Sequence, residues 1–80
     1  MAYMTIELAS GVVGDIEGAL IRSGLGREDS AELSHAILNS PGGISFRTNK
    51  LGKIGIDPDA LVQELRATGL IVRWTGEAAD

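Results

Sequence analysis

Cysteine is absent from this 80-residue chain, so no disulfide can staple it and no thiolate can hold a metal. That absence fits a cytoplasmic protein. Aromatic residues are scarce, confined to Tyr3, Phe46 and Trp74, and prolines to Pro41 and Pro58. No apolar run approaches the ~20 residues of a membrane span. The stretch from Ala2 to Leu8 carries Glu7 and no basic lead, unlike a signal peptide. Positive charge is also short, with seven bases against eleven acids and a net charge of −4, a poor basis for coating nucleic acid. What remains is 44% hydrophobic, enough for a packed core and too much for a wholly disordered chain. The length predicts one domain over residues 1–80, with 76–80 as a frayed tail. A domain this small buries only about 60% of its unfolded surface, so its stability margin is thin.

The charge is uneven. Residues 1–40 hold six acids (Glu7, Asp15, Glu17, Glu28, Asp29, Glu32) against Arg22 and Arg27. From Ile44 to Ile56 the only charges are Arg47, Lys50 and Lys53. An acidic front half thus adjoins a small basic segment.

Met4, Ile6 and Leu8 alternate with Tyr3, Thr5 and Glu7, the period of a half-buried strand. Ser10 suits an N-cap for a helix from Gly11 to Ser23 that stops at Gly24. In it, Val12, Ile16 and Leu20 gather on one side, and Gly11, Gly14, Gly18 and Ile21 on the other. Asp29 and Glu32 have capping-box spacing for a second helix, Ser30 to Asn39, with Leu33, Ala36 and Ile37 facing inward. Pro41-Gly42-Gly43 ends it. Ile44, Phe46 and Thr48 alternate as a strand, and Lys53 to Ile56 can return as its hairpin partner. Asp57-Pro58 reads as a cap followed by proline at the first helical position, with Gly69 closing that helix. Leu70 to Thr75 reads as a strand buried on both faces apart from Arg73, and therefore central. The order β-α-α-β-β-α-β predicts a small α+β domain with a mostly antiparallel sheet and helices on one face.

A second parse exists. From Glu32 to Arg73 the chain resembles a winged-helix segment: a helix, a short strand, the Leu51-Gly-Lys-Ile-Gly-Ile56 element, a recognition-type helix from Asp57 to Gly69, then Gly-Leu-Ile-Val-Arg as the first wing strand. That resemblance implies a small DNA-binding regulator or accessory protein touching DNA through Arg47, Lys50, Lys53 and Arg66. Against it, Asp57 and Asp59 stand at the helix tip that would meet phosphates and base edges.

Catalytic chemistry finds no foothold. His35 is the sole histidine, opposite Leu33 and Ile37 on the helical wheel, with Asn39 its only polar neighbour on that face. Ser34 diverges from it by 100° and cannot pair with it locally. Asp57 and Asp59 are explained by capping and by the helix dipole rather than as a carboxylate pair or metal site. Gly11-Val-Val-Gly14-Asp-Ile-Glu-Gly18 has neither the spacing nor the lysine of a phosphate loop. The expectation is a protein without catalytic residues, cofactor or metal.

Two features point instead to protein partners. Glycines at helix-interior positions cost ~1 kcal/mol each relative to alanine, so Gly14 and Gly18 call for a closely approaching backbone. That backbone belongs either to this domain or to a second copy in a two-fold dimer through Gly11, Gly14, Gly18 and Ile21. The acids Asp15, Glu17, Glu28, Asp29 and Glu32 offer a negative surface to a basic partner.

In format (short, acidic, cysteine-free, one α+β domain without a catalytic constellation) the chain resembles the small anti-CRISPR proteins of phages and mobile elements. The resemblance spans the whole chain and carries no shared motif. It implies a non-enzymatic inhibitor in a bacterial host's cytoplasm that binds a CRISPR effector complex and blocks DNA or nuclease engagement. By that implication Asp15, Glu17, Glu28, Asp29 and Glu32 mimic phosphates against a basic groove.

Overall fold

Alternation decides the first element. A computed structural model describes residues 2–9 and 14–76, and within them β1 (Tyr3–Glu7) buries Met4 and Ile6 completely while Tyr3 faces solvent. The elements that follow are α1 (Ile16–Arg22), α2 (Arg27–Leu38), β2 (Ile44–Arg47), α3 (Asn49–Lys53), α4 (Pro58–Ala67) and β3 (Ile71–Trp74). Strand order in the sheet is β2-β1-β3, antiparallel throughout. The register places Phe46, Met4 and Trp74 in one cross-strand row and Ile44, Ile6 and Val72 in the next. These rows face the helices and join Ile16, Ala19, Leu20, Ile37, Leu61, Val62 and Leu65 in one core. The alternate residues Ser45, Arg47, Ile71 and Arg73 are exposed on the opposite face. The fold is therefore a small α+β domain with helices on one side of an antiparallel sheet.

Four sequence expectations change. Lys53 to Ile56 is not a strand: residues 49–53 form α3, and the alternation of Ile54 and Ile56 reflects a turn that exposes the first and buries the second. The last strand is an edge rather than the centre, because β1 takes both partners; Ile71 joins Arg73 outside and Trp74 is only half-buried. Gly26, not Asp29, is the N-cap of α2, which begins earlier than the capping-box spacing implied. α1 starts at Ile16 under an Asp15 cap whose carboxylate accepts from the Gly18 N–H at 3.0 Å. The Ser10 cap, the helical residues expected at Gly11, Val12 and Val13, and the tail 77–80 lie outside the described residues.

α4 is the element best specified locally. Asp57 accepts from the Asp59 N–H at 3.2 Å, Pro58 opens the helix, and Gly69 beyond its end has φ +105°. Its buried face is Leu61, Val62 and Leu65, and its exposed face ties to α1 through Arg22–Glu64 at 3.2 Å. Asp57→Ala is expected to cost about 1 kcal/mol, read as a lower urea midpoint at unchanged slope. An unshifted midpoint would show that the cap contributes nothing.

Candidate functional site

The site begins with which residues α2 buries. Ser30, Ser34 and Ile37 face the core, whereas Leu33 and Ala36, expected inside, are only half-buried. Serine seven residues before Ile37 lies almost on the same side of the helix, so packing this face against α1 turns two hydroxyl residues inward. The Ser30 hydroxyl is buried without a hydrogen-bond partner, a loss of about 1–3 kcal/mol. Leu33 and Ala36 are rotated toward α3 instead.

There they meet Leu51 and Ile54. Together with Leu25, these side chains line an open apolar groove of about 390 Å³, and Asp29 and Glu32 stand on its α2 wall. Ile54 is 58% exposed, as open as any large hydrophobic residue described. Lys50, one turn before Ile54 on the same side of α3, is exposed beyond it, with Lys53 next to it around the helix. The groove is thus acidic along its α2 wall, and Lys50 stands outside its lining on the far side of Ile54.

The five acids expected to act together separate into two groups. Glu28, Asp29 and Glu32 share the exposed side of α2. Asp15 and Glu17 sit at the start of α1, a helix length of about 10 Å from the turn into α2, and Asp15 is committed to its cap. The basic residues separate too. Arg47 lies over the Tyr3 ring, 5.9 Å from its centroid, on the outer sheet face. Arg66 donates to the Val72 carbonyl at 2.9 Å, while Lys50 and Lys53 are on α3.

The glycine strip expected as a dimer face is not one helical face. Gly11 lies outside the described residues, and Gly14 precedes α1. The Gly14 N–H donates to the Thr68 carbonyl at 2.8 Å, and a Cβ there would touch the Thr68 side chain. A Cβ on Gly18 would collide with the Asp15 carboxylate, so glycine makes room for the cap. Ile21 is exposed nearby. Within the domain, Gly14 thus has a close backbone neighbour in Thr68, and Gly18 has the Asp15 side chain.

His35 is exposed as expected, and Asn39 bonds its backbone carbonyl rather than its ring. Among the described residues no group of three His, Asp or Glu side chains could hold a metal, and no helix is long and apolar enough to cross a membrane. Comparison with family models, curated proteins and solved structures finds no match.

The residues missed by sequence reasoning are Leu25, Leu33, Ala36, Leu51 and Ile54. One signal was present: Ser30 and Ser34 share a helical side with Ile37, which leaves Leu33 and Ala36 at the margin of any core-facing arc.

Proposed function

We propose that this protein is a non-enzymatic protein-binding inhibitor whose acidic α2 edge receives a partner with a basic surface. The observation that carries this reading is the position of Asp29 and Glu32 on the wall of an apolar groove. Desolvated apolar contact supplies affinity, and the flanking charges speed encounter and fix register. In its anti-CRISPR form, the partner is a CRISPR effector complex whose nucleic-acid channel provides the basic surface, and occupation of that channel blocks DNA or nuclease engagement.

A second reading has its own support. α3 and α4, joined through Gly55, resemble a helix-turn-helix, as in a winged-helix DNA-binding regulator. The charges oppose it: Asp57 and Asp59 occupy the tip of α4, and of its exposed side chains only Arg66 is basic, already bonded to β3.

One experiment separates the two. Asp29→Lys/Glu32→Lys is expected to abolish inhibition of DNA binding across a panel of purified CRISPR effector complexes and to weaken poly-lysine binding about tenfold. Glu17→Lys/Asp59→Lys, with the same change in net charge, is expected to leave both intact. Equal loss in the two variants would reduce the effect to net charge alone. Duplex DNA is expected to bind no more tightly than ~10⁻⁴ M at physiological salt. A micromolar DNA complex lost on Arg47→Ala, Lys50→Ala and Lys53→Ala would install the regulator reading in its place.

A further inference from the structure

The groove constrains its occupant more than its acidity alone does. Its floor is Leu25, Leu33, Ala36, Leu51 and Ile54, contributed by two helices and the turn before α2. No strand edge borders it among the described residues, and its lining is side chains of the two helices and the turn before α2. An extended peptide laid over this floor would leave its own N–H and C=O groups unpaired against apolar side chains. A helix satisfies its backbone internally and presents only side chains, which is the mode that suits a groove between helices. The volume, about 390 Å³, admits a few aliphatic anchors and not a whole helix, so the occupant rests across the rims. Asp29 and Glu32 line the α2 rim, and helical spacing puts the exposed Lys50 just outside the α3 rim, one turn before Ile54.

We propose that the groove between α2 and α3 docks a short amphipathic helix of a partner protein, with aliphatic anchors flanked by Lys or Arg on the side facing α2 and by Asp or Glu on the side facing α3. This rests on the protein-binding reading and adds to it the secondary structure and charge order of the segment recognised. Leu33 and Ile54 gain the cover that the isolated domain denies them. The opposed rims set the direction in which the helix lies, because reversing it places like charges together. An interface this small is a transient one.

The test uses two synthetic helical peptides of about 15 residues, long enough to hold a helix with good helix formers. Both carry leucines at i, i+4 and i+7. One carries lysines on one flank and glutamates on the other; its twin has the same composition with both signs on each flank. Binding is followed by backbone amide shifts of the full-length, isotope-labelled protein. The segregated peptide is expected to bind about tenfold more tightly than its twin, with shifts confined to α2 and α3. Ile54→Glu, at an exposed position that leaves the core untouched, is expected to remove the binding.

Asp29→Lys/Glu32→Lys/Lys50→Glu exchanges the rims, and the segregated peptide is expected to bind this variant in the reversed direction, shown by a spin label on one peptide end broadening the opposite end of the groove. Equal affinity for the twins, or no shift at millimolar peptide, would overturn the proposal. So would a doubled molar mass of the free protein abolished by Ile54→Glu, which would make a second copy the occupant. Failure of the peptides with continued inhibition of effector complexes through Asp29 and Glu32 would overturn the helix and leave the acidic-edge reading standing. Loss of that inhibition's dependence on Asp29 and Glu32 would remove the reading itself.

Discussion

Ile6→Ala is expected to lower the unfolding free energy by about 3–4 kcal/mol and to leave a large fraction of the protein unfolded at 25 °C. Ile6 is fully buried in the central strand, between Ile44 on one neighbour and Val72 on the other. Truncating it empties the middle of a three-residue row that both edge strands use to face the helices. A domain this small has no second core to absorb the loss. The check is urea denaturation by circular dichroism, with Ile71→Ala as the matched control. Ile71 is the same residue type on the open face, 42% exposed, and its truncation should cost well under ~1.5 kcal/mol. Similar midpoints for the two variants would contradict the assignment of β1 as the centre of the sheet.

Gly43→Val is expected to cost about 2–3 kcal/mol, by a different route. Gly43 sits at φ +90°, a region that a β-branched residue enters only under strain, immediately before β2. An added Cβ would also stand 3.0 Å from the Ile6 carbonyl oxygen, a backbone atom of β1 that cannot swing aside. The neighbouring Gly42→Val has no such penalty, since a Cβ there meets nothing within 4 Å. The two variants differ by one position in the same turn, so thermal melts of the pair isolate backbone geometry from composition. Equal melting temperatures would show that the turn relaxes freely.

Legibility followed the range of the forces involved. α4 was readable because Asp57, Pro58 and Gly69 act on their own backbone, and nothing distant alters them. β1 was readable because its alternation is local as well. What failed needed knowledge of partners. Leu70 to Thr75 looked central by composition, yet β1 pairs on both sides and leaves β3 at the edge, where Ile71 faces water. Ile54 and Ile56 imitate a strand, since a turn that buries one and exposes the other produces the same alternation. The acids are visible in the sequence, but the way the fold separates them is not. Asp15 turned out to serve the α1 cap, and the apolar groove beside Asp29 and Glu32 arose from a rotation of α2 that only its packing against α1 reveals.

The Tyr3 N–H donates to the Thr75 hydroxyl at 2.8 Å across 72 residues of chain, so the two ends of the described fold lie side by side. Followed as a circle beginning at α2, the elements run helix, strand, helix, helix, strand, strand, helix, with β1 closing a hairpin onto β3. As a line, that hairpin is cut open and its halves are separated by every other element described. Met4 and Ile6 leave the ribosome early and wait for β3 before the row that buries them is complete. Long loops close slowly, and an apolar strand that waits unpaired is exposed to wrong partners in the meantime. The helices can nucleate during synthesis and β1 can pair with β2, but the sheet is complete only once β3 has been made.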